Sequence, residues 1–181
     1  MRKISMAAFL LLVFASLANA QVPTAGNVFF GYSFYSADVT PGNRTNTNGW
    51  EGSIEGKFLP WVGIVGDFDA HYGSQSFLGL CPGVNCTFNA DFTERNYLFG
   101  PRVSVSVAKI RPFAEFLIGA GHINVKGVNS DTSFATAIGG GLDYKLIPLV
   151  AWRFQGDYVH TRFFDSAQNN VRLSTGIVVR F

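Results

Sequence analysis

The stretch Val171-Arg-Leu-Ser-Thr-Gly-Ile-Val-Val-Arg-Phe181 decides the fold. Val171, Leu173, Thr175, Ile177, Val179 and Phe181 alternate with Arg172, Ser174, Gly176, Val178 and Arg180. Successive side chains of an extended strand point to opposite sides of a sheet, so a repeat of two gives this strand one apolar face and one small or cationic face. Helical spacing does not produce that pattern. The alternation runs unbroken to an aromatic carboxy-terminal residue.

The same period recurs along the chain. Val28–Ser36 sets Val28, Phe30, Tyr32 and Phe34 against Phe29, Gly31, Ser33 and Tyr35. Trp50, Gly52, Ile54, Gly56 and Phe58 oppose Glu51, Ser53, Glu55 and Lys57. Strands are likewise expected over Val62–Tyr72, from Phe92 past Arg102, and over Arg111–His122, Ser133–Tyr144 and Val150–His160. With the last stretch this makes eight strands. The connections expected between them alternate in length. Ala37–Asn48, Gly73–Asp91, Ile123–Thr132 and Thr161–Asn170 read as long polar loops built from turn formers, whereas Leu59–Trp61, Ala108–Lys109 and Lys145–Leu149 read as tight turns. Long and short connections in alternation predict an all-β, eight-stranded antiparallel up-and-down transmembrane β-barrel.

Composition agrees with a lipid-facing barrel. Eighteen Phe, twenty Gly and six Tyr accompany only 14% charged residues, and the apolar content is spread through short alternating pieces. Outside the leader no apolar run reaches the roughly 18 residues a spanning helix needs. The first residues, Met1-Arg-Lys, an apolar run Met6–Leu17 and Ala18-Asn-Ala20, have the three parts of a secretory signal peptide, so residues 1–20 are expected to be cleaved and residues 21–181 to form the barrel domain. Removing Arg2 and Lys3 leaves 12 basic and 12 acidic residues. A formally neutral chain argues against a nucleic-acid partner. In an exported chain, Cys81 and Cys86 of C-P-G-V-N-C are expected to form a local disulfide; with His71 alone beside them, a metal site lacks ligands.

Placing the apolar faces against lipid sends Glu51, Glu55, Lys57, Asp67, Asp69, Glu94, Arg102, Glu115, Asp143, Arg153, Asp157, Arg172 and Arg180 inward. An interior of eight strands is just wide enough for side chains to fill, so these charges are expected to pair as a lumen network. Read statically the network is a plug; read as exchanging partners it is a proton or ion path. Inward Gly and Ala on strands five and six leave room for it. The outward aromatics fall into two sets. Phe34, Trp50, Tyr72, Phe134 and Tyr158 lie toward the long loops, and Phe30, Phe58, Trp61, Phe99, Tyr144, Trp152 and Phe181 toward the short turns, as two interfacial girdles require.

Signal peptide, eight alternating strands, F-G-P-R at Phe99–Arg102, R-P-F-A-E at Arg111–Glu115 and the final Phe181 together resemble the small OmpA/OmpX-type outer-membrane β-barrel family over essentially the whole mature chain. The resemblance implies residence in the outer membrane of a Gram-negative-type cell, lipid and lipopolysaccharide as surroundings, and Phe181 as an assembly signal for the barrel-assembly machinery. It implies a monomer without a cofactor. No peptidoglycan-binding domain follows the barrel, so a cell-wall tether is not implied.

Three functions remain open: a structural or surface-interaction barrel with an unspecified extracellular ligand, a narrow porin-like channel, and a soluble exported lipocalin-like barrel holding an apolar ligand. Catalysis is not expected. His71, Asp67 and Asp69 share a strand face near Ser74 and Ser76, but alternation alone supplies that, and neither G-x-S-x-G nor H-E-x-x-H occurs. Arg95 is expected on the lipid face near the outer rim, where it would snorkel to head groups or meet a lipopolysaccharide phosphate. His122 and His160 are expected at strand ends.

Overall fold

A computed structural model describes residues 25–40, 43–81, 84–127 and 129–181; within these, no side chain is described at 38–40, 43, 75–81, 84–90, 129 or 165. The expected signal peptide and the side chains of Cys81 and Cys86 therefore lie outside the described residues. The strands are β1 (Gly26–Thr40), β2 (Asn43–Leu59), β3 (Val62–Cys81), β4 (Val84–Ser104), β5 (Ile110–Val125), β6 (Asn129–Ile147), β7 (Val150–Thr161) and β8 (Gln168–Arg180). A single 3-10 turn, Phe163–Asp165, interrupts the last connection.

Each strand pairs antiparallel with its neighbours in sequence, and β1 returns to β8 to close the barrel. The closing register pairs Val28 with Val179 and Phe34 with Leu173. At the short-turn end the backbones of Gly26 and Phe181 exchange hydrogen bonds of 2.9 and 3.1 Å, so the terminal residue completes the seam. Closure leaves no barrel edge unpaired, which the low-dielectric bilayer core demands.

Burial follows the alternation. Phe29, Ser33 and Tyr35 are buried while Phe30, Tyr32 and Val28 are exposed, and the pattern repeats residue by residue from Ile110 to Leu117 in β5 and along β7. The apolar residues form the outer surface: Phe30, Phe134 and Phe181 are each more than 60% exposed. The apolar faces therefore lie outside and the charges inside, the reverse of a lipocalin-like barrel, and the soluble reading is set aside. Phe30 touches Trp50, with ring centroids 6.0 Å apart.

The expected long loops are corrected. Most of 37–48, 73–91 and 123–132 continues as paired strand, so that β3 and β4 remain in register out to Cys81↔Val84. β1 and β2 continue to Thr40↔Asn43. Thr, Asn and Ser satisfy an extended ladder as readily as a loop once the strands leave the apolar band, so polarity there does not signal irregular backbone. The short turns are as expected; Val107 and Ile110 bond across Ala108–Lys109, and Ala108 takes a left-handed φ of 53°.

Two inward glycines on β6 are steric requirements. A Cβ on Gly139 would stand 2.1 Å from Asp157 Oδ1 and 2.4 Å from the Gly156 carbonyl, and one on Gly141 would meet the Phe154 carbonyl at 2.2 Å. Outward Gly52 has nothing nearer than 3.7 Å. Gly139→Ala is expected to lower the unfolding free energy in detergent by about 1–3 kcal/mol, the usual cost of overpacking. Gly52→Ala should leave it unchanged; urea titration followed by gel mobility of unheated samples measures both.

Candidate functional site: the charged lumen

Strand register places opposite charges side by side. Arg102 lies directly across from Glu115, Asp143 from Arg153, and Asp157 from Arg172. Cross-strand neighbours on one face meet without reorganising the backbone, so each pair forms where alternation put it.

Toward the short turns, Arg102 Nε donates to Glu115 Oε2 at 2.6 Å, and Arg111 Nη2 donates to Glu55 Oε1 at 2.8 Å. Asn27 also donates to Glu55, and Arg102 Nη1 lies 3.5 Å from its Oε2. Arg153 grips both oxygens of Asp143, at 2.7 and 3.1 Å, and half-buried Arg180 reaches the same carboxylate at 3.4 Å. The guanidinium planes are packed on a ring: Arg102 and Arg153 lie over Phe113, 4.4 and 4.6 Å from its centroid. An ammonium, as a compact point charge, would not suit this geometry; a flat guanidinium stacks on a ring and donates in its plane at once.

At mid-barrel one cation serves four acids. Arg172 is fully buried; its Nε and Nη2 donate to Asp157 Oδ2 at 3.0 and 2.8 Å, its Nη1 reaches Asp67 Oδ1 at 2.7 Å and Asp69 Oδ2 at 2.5 Å, and Glu51 Oε2 is 3.4 Å from Nε. Gln155 joins this cluster to the turn-end one, with Nε2 within 3.0 Å of Glu51, Glu115 and Asp157 oxygens. Ser174 donates to Glu51 and lies 2.9 Å from Ser33 Oγ.

Toward the long hairpins neutral donors take over. The Tyr35 hydroxyl donates to Glu94 Oε1 at 2.8 Å, and its ring stacks on His71 at 4.5 Å. His71 Nδ1 lies 3.1 Å from Asp69 and Nε2 lies 2.9 Å from Ser33 Oγ. Asn96 Nδ2 donates to Asp69 at 2.9 Å. Asp69, His71 and Ser33 stand in the order of a charge-relay triad, but all three are buried, and no face of Ser33 is open to a substrate. Tyr35, Val65, Leu98, Leu117 and Val159 form an apolar layer at this height, and Phe92, Ile123 and Phe163 form a second one at the outer mouth. The backbone N–H of Phe164 donates to Asp131 Oδ2 at 2.6 Å and holds the Phe163 turn over that mouth.

Of the residues expected in the lumen network, Glu51, Glu55, Asp67, Asp69, Arg102, Glu115, Asp143, Arg153, Asp157 and Arg172 make ion pairs inside the barrel. Two stand apart from it. Lys57 is half-buried at the turn end, where its ammonium donates to the Pro60 carbonyl at 3.1 Å. Glu94 makes no ion pair among the described residues. His71 is buried in the lumen, with Ser33 Oγ as its hydroxyl neighbour. Arg95 is exposed opposite Ala70 and His122, as the alternation implies. Sequence reasoning missed Arg111, Tyr35, Gln155 and Phe163. The first three sit on inward positions that alternation marks; Phe163 sits in a connection, where no period exists to point it inward.

A closed barrel with an apolar exterior and a filled, charged interior defines an integral membrane β-barrel. The model of the outer membrane protein beta-barrel domain matches residues 5–181, and the chain belongs to that family. No curated protein matches it. Among solved structures it is similar to Ail, the attachment invasion locus protein of Yersinia pestis, in complex with the heparin analogue sucrose octasulfate: 16% identity, 87% of this chain and 98% of that one, TM-score 0.61. It is also similar to Neisserial surface protein A (13%, 87% and 99%, TM-score 0.68) and to the outer membrane protease OmpT of Escherichia coli (9%, 88% and 97%, TM-score 0.50). At these identities the likeness is one of fold.

Removing Arg172 leaves four carboxylates around an empty centre. Arg172→Leu is expected to cost about 3–5 kcal/mol, as loss of one partner from a buried ion pair does. Arg44→Leu, at the exposed outer end of β2, should cost less than about 0.5 kcal/mol. Urea unfolding of both in the same detergent makes the comparison.

Proposed function

We propose that this protein is a structural outer-membrane barrel, plugged by its lumen charges and presenting the hairpins of its outer end to the cell surface. The observation that carries this is the Arg172 centre: all three of its nitrogens are committed, and between them they hold four acids drawn from three strands, so no partner is free to move aside. Apolar layers above it supply no path for a hydrated ion. One observation favours a second reading, a narrow pore: Gln155 makes the polar column continuous from Ser33 to Arg180. Conductance decides between them. Planar bilayers loaded with folded protein are expected to show no channel events, and steady unitary openings would replace the plug by the pore.

The remaining parts of the reading are an exported monomer, cleaved after Ala20, inserted by the barrel-assembly machinery through Phe181, and set among outer-membrane lipid and lipopolysaccharide. A disulfide between Cys81 and Cys86 belongs to it as well. Unheated and boiled samples of the membrane fraction are expected to migrate differently. Blocking with a thiol reagent before and after reduction should add two labels only after reduction; labels added before it would remove the disulfide.

A further inference from the structure

The cation excess of the barrel lies at its short-turn mouth. Arg102 and Arg153 are spent on Glu115 and Asp143 within the bore. Beyond them come Arg111, Arg180, Lys57, Lys109 and Lys145, and the one further acid of that half is Glu55. No other acidic side chain is hidden there. Residues 1–25 contain none, and Asp38 and Asp165, whose side chains are not described, belong to the opposite end.

Lys109 and Lys145 stand opposite each other. The Lys145 N–H donates to the Lys109 carbonyl at 2.8 Å, which carries the β5–β6 ladder one step past Ile110↔Tyr144. Alternation gives both lysines the inward parity of Arg111 and Asp143, and on its other side Lys145 pairs with Ala151, which is fully buried. The strands have left the bore at this height, so both lysines are exposed at the mouth. Like charges directly opposite on one face repel. Among the described residues the one lysine ion pair is Lys126 with Asp91, at the other end of the barrel.

Two residues deeper along each strand, about 7 Å, the arginines are short of acceptors. Arg111 is 5% exposed; its Nη2 donates to Glu55 and Ser104, both at 2.8 Å, while its Nε is buried without a partner. Arg180 reaches Asp143 only at 3.4 Å, and its Nε is likewise buried and unpaired. Buried N–H groups are normally satisfied, so orphaned donors at one mouth call for an acceptor. The Arg111 and Arg180 charges also act on each other and on Lys57. Arg102 and Arg153, stacked on Phe113 and Phe29, fill the bore below and make a cup of the mouth.

We propose that the short-turn mouth is an anion site for a phosphate group, held between Lys109 and Lys145 above and the free Nε–H groups of Arg111 and Arg180 below. A phosphate dianion has oxygens enough to accept from several donors at once and charge enough to offset two facing lysines. The group arrives either as free phosphate or on the headgroup of a lipid in the adjoining leaflet. That the site faces the periplasm rests on the proposed orientation; the binding itself does not.

The test is NMR of backbone amides and arginine Nε–H groups of the folded protein in maltoside micelles, titrated with inorganic phosphate at constant ionic strength. The Lys109, Lys145, Arg111 and Arg180 signals should shift along saturating curves while those of Lys126 and Arg162 stay in place. Lys109→Gln combined with Lys145→Gln should weaken binding at least about tenfold, the scale of one charge-assisted contact, and Lys126→Gln should not change it. Lys145→Glu, which supplies the missing acid, should abolish saturation and raise the urea midpoint in phosphate-free buffer. Shifts that grow linearly with phosphate, shifts that chloride reproduces, or an unchanged affinity in the double variant would overturn the site. Loss of the heat-dependent gel shift in the unaltered protein would instead overturn the barrel reading. Phosphatidylglycerol added to the micelles separates the two sources: competition with free phosphate at the same signals assigns a lipid headgroup, and its absence assigns soluble phosphate.

Discussion

The Arg172 guanidinium, buried among Glu51, Asp67, Asp69 and Asp157, is the contact on which the interior depends. A barrel of eight strands cannot leave its lumen empty, and in lipid it cannot fill it with the residues its outer face needs. Polar side chains therefore go inside, and once inside each must be satisfied there. One planar cation with five donors satisfies several acids at once, which an ammonium could not do with the same geometry. Arg172 is drawn from β8 and its acids from β2, β3 and β7, so the contact spans the bore and ties the closing strand to strands far from it in sequence.

The cations are not spread evenly along the axis. Arg102, Arg111, Arg153 and Arg180 lie in the turn-end half with Glu55, Glu115 and Asp143. Beyond Arg172 toward the hairpins, the described lumen relies on Tyr35, His71, Asn96 and the serines as donors. Packing changes with the charge. Arginines on Phe29 and Phe113 fill the lower bore, small residues such as Ala135 and Ala137 line the upper one, and Phe163 closes it. Closure at the mouth comes from a turn latched to Asp131, an arrangement separate from the ion pairs below.

Much of this was legible in the sequence, and for one reason: a strand between lipid and a polar lumen must alternate. Trp50 to Phe58 assigns Glu51 and Glu55 inward without reference to any other strand, and the same holds for Arg172 in the last stretch. What alternation cannot supply is height. It put His71 on the inward face but not beneath Tyr35, and it put Lys57 inward although the strand is already leaving the bore there. Nor does it act outside the apolar band, where Arg44 to Asn48 and Gly73 to Cys81 are strand despite their loop-like composition. Phe163 lies beyond both limits, and only the closed barrel shows where its ring goes.

The most direct measurement is the hydrogen exchange of arginine side chains, read as Nε–H signals of the folded barrel in micelles. Arg172 should give one sharp, shifted signal that persists long after transfer to deuterated buffer, while exposed Arg162 in the last connection exchanges promptly. An Arg172 signal that disappears as fast as that of Arg162 would mean that water and exchangeable partners reach the centre of the bore, and the account of a filled, fixed lumen would be wrong.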